Sequence, residues 1–325
     1  MADKKAGLFS PLFYLTAMSW RRLIFVCAVM MASPVAQAEE RERLERDVVV
    51  NAEADEGEHD QFTELGEYGQ PAWAERNRAS STTAVYVLSP YEAALDLSWE
   101  GDFSHHGKTR HEFKQEIDVG LLHRFELGFE NEVGVTGDQG HETSGTFEIR
   151  YALANWNVIP LNPTVSAEYV VGWGKSAESA SDDSHHYGNR LRDQPDAAVL
   201  RLLLGQDFAG HFGYAMNVAL QQDVSDRGRQ FELSQCVTCG LMKGMFEVGA
   251  EMRYTHSTQE FRSHDQDDLV IGPTIGWKPT RQTRLNLAPL LGCTSESPRV
   301  AMLAMFSYEF GGAEAIVPAT TPSRK

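Results

Sequence analysis

The sequence predicts an all-β fold, a single antiparallel transmembrane β-barrel of about 12 strands. Three observations support this prediction. From Ala93 nearly to the C-terminus, apolar and polar residues alternate in segments about ten residues long. A secretory signal precedes these segments, and no later apolar run is long enough for a transmembrane helix. An outer-membrane barrel needs this combination, because each strand has one face in lipid and one in a wet lumen.

The N-terminus has the order of a cleaved signal peptide. Basic residues as far as Arg22 come before an apolar stretch at Leu23–Ala32, and the small-residue site Ala36-Gln37-Ala38 follows. We therefore predict a signal peptide at residues 1–38, with export to the outer membrane. An uncleaved anchor over residues 8–36 is the alternative, but Arg21 and Arg22 leave less than the roughly 20 apolar residues that it needs.

Residues 39–83 are predicted to be an acidic, disordered periplasmic leader, because they are rich in charge and poor in apolar periodicity. Within them, Asp47-Val48-Val49-Val50-Asn51-Ala52 resembles the energy-coupling box of TonB-dependent receptors, where a strand adds to a partner's sheet edge. The resemblance implies periplasmic contact through the leader and TonB-coupled uptake. The chain departs from that family because no plug domain follows the box. The alternative is that these residues are a short β-prone patch in the leader.

The barrel is predicted over residues 84–312, with a C-terminal tail at 313–325. In the first segment Leu95, Leu97 and Trp99 share one face, while Asp96 and Glu100 lie on the other. The other eleven segments are Phe113–Leu121, Phe125–Val135, Phe147–Leu153, Val165–Trp173, Ala198–Leu204, Phe212–Leu220, a weaker Phe231–Val237, Phe246–Tyr254, Leu269–Trp277, Leu285–Leu291 and Val300–Phe310. An even count places both chain ends and the short turns on the periplasmic side.

Two further features are typical of such a barrel. Aromatic residues near segment ends predict interfacial girdles; they are Tyr91, Trp99, Trp156, Trp173, Tyr254, Trp277 and Tyr308. The last segment resembles the C-terminal strand that the barrel-assembly machinery recognises, although a tail follows Phe310. That machinery and outer-membrane lipid are therefore expected partners.

The polar faces predict an acidic lumen. The candidate lumen-lining residues are Asp96, Glu100, Glu112, Lys114, Glu116, Asp118, Glu126, Glu130, Glu148, Arg150, Glu168, Arg201, Glu247, Glu251 and Arg253. Carboxylates in a pore concentrate cations, so a conducting barrel of this kind favours cations. The alternative is that acids and bases pair into a plug that fills a narrow barrel. A net charge of -17 argues against a nucleic-acid partner.

Histidines and cysteines give weaker signals. His105, His106, His185 and His186 fall in predicted external loops and are weak candidates for metal capture, but their spacing fixes no ligand geometry. We therefore assign no metal and no cofactor. Three cysteines remain after the signal peptide, and a disulfide between Cys236 and Cys239 is one interpretation.

The closing region carries a family resemblance. The segments Ile271-Gly272-Pro273-Thr274-Ile275-Gly276-Trp277-Lys278-Pro279, Leu285–Leu290 and Tyr308–Gly312 resemble outer-membrane barrels related to the transporters of phenol-degradation operons, the MetA-pathway type. The resemblance implies a small transporter or pore-like barrel, and it brings no catalytic residues.

The sequence as a whole predicts an outer-membrane barrel for passive or facilitated passage of small solutes, with cations favoured. The alternatives are a structural or adhesion barrel with a plugged lumen, and a metal-capturing or TonB-coupled uptake protein. A soluble exported β-sandwich also remains open. An enzyme is not predicted: His186-Tyr187-Gly188-Asn189-Arg190 vaguely resembles a loop of the outer-membrane phospholipase family, but no serine stands where the nucleophile should be.

Overall fold

The computed structural model describes residues 66–76, 84–104, 109–136, 141–173, 175–176, 192–193, 195–208, 212–224, 228–242, 244–258 and 265–310. The predicted signal peptide, most of the leader, the C-terminal tail and the four candidate histidines lie outside these ranges. Among the described residues, no helix has the length and apolar character needed to cross a membrane.

Twelve antiparallel strands form a closed barrel. They are β1 (Ala93–Phe103), β2 (Arg110–Gly120), β3 (Phe125–Thr136), β4 (His141–Ala152), β5 (Thr164–Gly172), β8 (Ala197–Phe208), β9 (Phe212–Asp223), β10 (Arg229–Leu241), β11 (Phe246–Thr258), β12 (Gln266–Thr280), β13 (Thr283–Gly292) and β14 (Val300–Phe310). Two short strands, β6 (Lys175–Ser176) and β7 (Arg192–Asp193), pair separately. Each barrel strand pairs with its neighbours in the chain, and β1 closes the ring against β14. The predicted fold class and strand number are therefore confirmed.

The two ends of the barrel differ. One end, called here the turn end, holds both chain ends of the barrel and the connections at 121–124, 153–163, 209–211, 242–245 and 281–282. The opposite loop end holds the connections at 104–109, 137–140, 173–196, 224–228, 259–265 and 293–299. Short connections thus gather mainly at the turn end, as the sequence predicted. The connection at 153–163 is an exception that has a structural role described below.

Successive residues of each strand face alternately outward and into the lumen. Outward positions carry exposed apolar side chains such as Ile117, Leu200, Leu220 and Leu291, of which Leu200 is 65% exposed. Inward positions carry the charged residues, and many of these are buried. A sandwich would instead bury apolar side chains between two sheets, so this closed barrel with a charged interior excludes the β-sandwich alternative.

Aromatic residues collect on the outer face at both barrel ends. At the turn end, Phe125 contacts Tyr151, Phe208 stacks on Phe212 and Phe246 stacks on Trp277. At the loop end the aromatic contacts are Trp99 with His111, Phe103 with His111, and Phe231 with Tyr254. Such paired belts match the two interfaces of a bilayer. Trp156 was expected in a belt but packs instead against Tyr86, with the ring centroids 5.3 Å apart.

Residues 66–76 and 84–92, called here the luminal segment, lie at the turn end, and most of them are inside the barrel, although Tyr91 is 81% exposed. They include the one-turn helix α1 (Trp73–Arg76). Val85, Tyr86 and Tyr68 pack with Ala152, Ala215 and Cys236, which are inward residues of β4, β9 and β10. Trp73, Tyr86, Val87 and Leu88 have no exposed surface. The sequence predicted a disordered leader as far as residue 83 and a barrel from residue 84. Residues 66–76 and 84–92 differ from both expectations, because apolar burial and hydrogen bonds hold them in the lumen.

The cysteines in the described residues are free. Cys236 is buried, Cys239 is half-buried and Cys293 is exposed. Residues three apart on a strand point to opposite faces of the sheet. Cys236 therefore faces the lumen while Cys239 faces outward, and the suggested disulfide between them is wrong.

If the outer face lies in a bilayer, the cost of placing a charge on it depends on the depth of the substituted residue. We expect Leu287→Arg, at an exposed outward position near the middle of β13, to lower the free energy of unfolding by about 2–4 kcal/mol in lipid. Thr283→Arg, at the turn end of the same strand, is the matched control and should cost about 0–1 kcal/mol. Denaturant unfolding from vesicles measures both values. Equal losses at the two positions would contradict placement of this face in a bilayer.

Candidate functional site

The candidate site is the inner face of the barrel. All fifteen lumen candidates lie at inward positions, and ten of them line one cavity: Asp96, Glu100, Glu112, Lys114, Glu116, Glu130, Glu148, Glu168, Arg201 and Arg253. The other five, Asp118, Glu126, Arg150, Glu247 and Glu251, are buried nearer the turn end. Period-2 alternation explains why the sequence could place all of them on one face.

The cavity has a volume of about 550 Å³ and reaches the loop-end residues Ser257, Gln266 and Asp268. Ala84 of the luminal segment also lines it. The eleven carboxylates of its lining outnumber the four bases, Arg110, Lys114, Arg201 and Arg253. A wall with this surplus attracts cations and repels anions.

Some cavity residues were missing from the candidate set. They are Asp102, Arg110, Glu232 and Asp268. Each lies at an inward position of its strand, two residues along from another residue that lines the same cavity. Strand parity, continued to the strand ends, was the signal that could have found them.

Below the cavity, one guanidinium binds several carboxylates. Arg150 donates hydrogen bonds to Glu148 at 2.5 and 2.6 Å, to Glu116 at 2.6 Å and to Glu126 at 2.6 Å, and Asp118 lies 3.5 Å away. Arg150 is 1% exposed. These groups come from β2, β3 and β4, so the cluster ties three neighbouring strands together on the inner face. Loss of one partner would leave buried charges uncompensated.

Asp96, Glu116 and Asp118 also place carboxylate oxygens within 4.8 Å of one another. Oxygen ligands at such spacing suit a hard cation. Arg150 already supplies a positive partner for Glu116 and Asp118, and the cluster is therefore explained without a metal. On the outer face at the loop end, Nδ1 of His256 lies 2.8 Å from Asp267.

A second buried cluster lies at the turn end on the opposite arc of the wall. Glu247 accepts hydrogen bonds from Lys278 at 3.0 Å and from Arg284 at 2.8 Å. Arg284 also donates to Asn286 at 2.7 Å. These residues connect β11, β12 and β13, so both arcs of the turn end are fastened by buried ion pairs.

The cavity itself has paired charges along its wall. Lys114 lies 3.0 Å from Glu112 and 3.4 Å from Glu132, and Arg201 donates to Glu168 at 2.8 Å. These partners lie on the same or adjacent strands. Arg253 differs, because it forms a two-point contact with Glu100, a residue of β1, which has three strands between it and β11 around the ring.

The luminal segment is held by wall residues of the turn end. The Leu88 N–H donates to Glu126 at 2.6 Å, and the Trp73 N–H donates to Glu309 at 3.0 Å. Tyr86 Oη donates to the Ala154 carbonyl at 2.7 Å, in the long connection at 153–163. Burial raises the pKa of Tyr86 to about 12 and lowers the pKa of Arg76. Tyr86 therefore keeps its donor proton at neutral pH.

The comparisons with known proteins concern the barrel. No family model and no curated protein matches the chain. Among solved structures, an outer membrane channel from Pseudomonas putida F1 is similar with a TM-score of 0.47 and 9% identity, over 71% of this chain and 99% of that chain. A KdgM porin has a TM-score of 0.43 and 12% identity, over 67% and 99%. LpxR from Salmonella typhimurium has a TM-score of 0.41 and 9% identity, over the same shares.

The Arg150 cluster predicts a large loss of stability. Arg150→Met leaves four carboxylates in the lumen without their shared base, so we expect the free energy of unfolding to fall by about 3–5 kcal/mol. Arg201→Met removes a base from the more exposed pair with Glu168 and should cost about 1 kcal/mol. Urea unfolding of both variants measures the difference. Similar losses would contradict the central role of Arg150 in the wall.

Proposed function

We propose that the chain is an outer-membrane barrel that lets small solutes, with cations favoured, pass through an acidic lumen. The observation that carries this proposal is the cavity, in which eleven carboxylates face four bases behind an apolar outer wall. An exposed apolar belt between two aromatic rings suits lipid, and a charged interior suits water and ions. The resemblance to the phenol-operon transporters supports the same class without naming a solute.

The route we propose begins at the loop end. A cation enters the cavity there and meets the carboxylates of β1, β2 and β3, among them Glu130 and Glu132. The luminal segment occupies the lumen at the turn end, so solutes reach the periplasmic side only when it moves. In this proposal, passage depends on the charges of the lumen wall and on movement of the luminal segment, and it involves no covalent step.

A plugged structural barrel is the second candidate, favoured by the burial of the luminal segment. Tyr86, Val87 and Leu88 have no exposed surface, and their contacts reach β3, β4, β9 and β10. If the segment never leaves, the lumen holds solutes at its loop end and conducts nothing. The two candidates therefore differ in one measurable property, the mobility of the luminal segment.

The enzyme and uptake alternatives receive less support. The loop considered for phospholipase-like chemistry, which begins at His186, lies outside the described residues, as do the histidines considered for metal capture. The valine run considered for TonB coupling also lies outside them. The cavity chemistry favours passage of cations over each of these readings.

Ion selectivity tests the acidic lumen. In planar bilayers under a salt gradient, we expect the mature protein to prefer cations. The change Glu130→Gln with Glu132→Gln should shift the reversal potential towards zero, because two cavity carboxylates are lost. Glu296→Gln, at an exposed position of the 293–299 connection, is the control for a charge outside the cavity. An anion preference of the wild type would overturn the proposal.

A disulfide lock separates passage from plugging. A Cβ atom on Gly205 would lie 2.7 Å from both γ-carbons of Val85. Val85→Cys with Gly205→Cys therefore places the two Cβ atoms slightly closer than the span of about 3.5–4.5 Å that a disulfide needs, so the luminal segment must shift by a few tenths of an ångström to form the bridge. The background replaces the native Cys236, Cys239 and Cys293 by Ala. We expect silence when the lock is oxidised and cation-selective steps when it is reduced, with Val85→Cys alone insensitive to reductant.

The lock has two other outcomes. Silence in both redox states of a barrel with normal heat-modifiable migration would support the plugged structural barrel and overturn passage. Conduction in both states would leave passage standing and would show that the luminal segment does not close the route.

A further inference from the structure

The contact between Glu100 and Arg253 crosses the lumen. Arg253 Nη1 donates to Glu100 Oε2 at 2.8 Å, and Nη2 donates to the other carboxylate oxygen. Glu100 lies on β1 and Arg253 on β11, with β14, β13 and β12 between them around the ring. Both side chains are partly exposed, at 19% and 18%, and both line the cavity. The pair therefore spans open lumen as a chord of the barrel.

Most of the other ion pairs in the described part of the cavity wall run along it, although Arg201 and Glu232, 3.8 Å apart, have β9 between their strands. Glu112 with Lys114, Glu132 with Lys114, and Glu168 with Arg201 join the same or adjacent strands in the described part of the chain. Such pairs lie along the wall and leave the centre of the lumen open. Glu100 and Arg253 instead reach towards each other from separate arcs, so their side chains occupy the space through which a solute would move.

The level of this contact lies between the luminal segment and the loop end. Asp96 lies beside Trp73 of the luminal segment. Ser98 and Glu100 follow Asp96 on the same inward face of β1, each one step nearer the loop end. A solute that enters from the loop end thus meets Glu100 and Arg253 before it reaches Ser98.

We propose that the Glu100–Arg253 pair, called here the strut, is the constriction that selects solutes by size and charge on their way into the deep lumen. A two-point arginine–carboxylate contact is among the strongest and most directional hydrogen-bonded pairs, so it holds a fixed obstacle in the lumen. The strut also places a positive group among acids, with Glu232 and Asp102 close to Arg253. The inference rests on the proposed entry of solutes from the loop end.

The test measures access past the strut and does not require passage through the whole barrel. Ser98→Cys, in the background without native cysteines, places a reporter thiol below the strut. Cationic and anionic methanethiosulfonate reagents of matched size are added to the folded protein in vesicles, and the labelling rates are measured. We expect Glu100→Gln with Arg253→Gln, which keeps the net charge, to raise both rates about tenfold or more.

Single substitutions at Glu100 or Arg253 distinguish the effect of charge on the labelling rates from the effect of size. Glu100→Gln leaves Arg253 without its partner and should favour the anionic reagent, whereas Arg253→Gln should favour the cationic one. Arg253→Lys keeps the charge but loses the planar two-point contact, so it should raise both rates while preserving their ratio. It also serves if the double change impairs folding, which heat-modifiable migration on a gel reports.

The double change Glu168→Gln with Arg201→Gln is the matched comparison, because it removes the same pair of charges from the wall. Labelling that rises equally in the wall and strut variants, or in neither, would overturn the strut. Failure of passage has a separate signature: the bilayers would stay silent with the lock reduced, while the strut variants would still change labelling at Ser98→Cys.

Discussion

Closure of the sheet is the constraint on which the rest of the structure depends. β1 pairs with β14 along its whole length, from Ala93 opposite Phe310 to Phe103 opposite Val300. Backbone groups in hydrocarbon have no water to bond, so only a sheet without edges can stand there. Once the ring is closed, strand parity assigns each side chain either to the apolar outside or to the lumen. Each inward charge must then find its partner within that confined space.

The inner face meets this demand at three levels. Near the turn end, Arg150 binds carboxylates of β2, β3 and β4, Arg284 binds Glu247 of β11, and both arginines are almost wholly buried. In the cavity, bases pair along the wall or, at Arg253, across the lumen. Glu126, which also binds Arg150, and Glu309 accept backbone N–H groups of the luminal segment. The acidity of the wall and the presence of the luminal segment are thus parts of one arrangement, because buried carboxylates need donors.

Much of the wall could be predicted from the sequence, since alternation fixes which residues share a face. Parity placed Asp96, Glu130 and Arg253 inward without knowledge of the fold. It could not show that Arg253 reaches Glu100, because contacts across a lumen depend on curvature and on strands far apart in the chain. The luminal segment was missed for another reason. Ala84-Val85-Tyr86-Val87-Leu88 has the composition of a strand, and its burial comes from tertiary contacts that no local pattern records.

The contacts of the luminal segment also fix the order in which the molecule is built. Trp73 bonds to Glu309, 236 residues later in the chain, so this contact forms only when β14 is in place. The segment continues directly into β1, and next to that junction Tyr91 and Glu92 share backbone hydrogen bonds with Gly120 of β2. The luminal segment therefore reaches its final position only when the two ends of the barrel chain have come together.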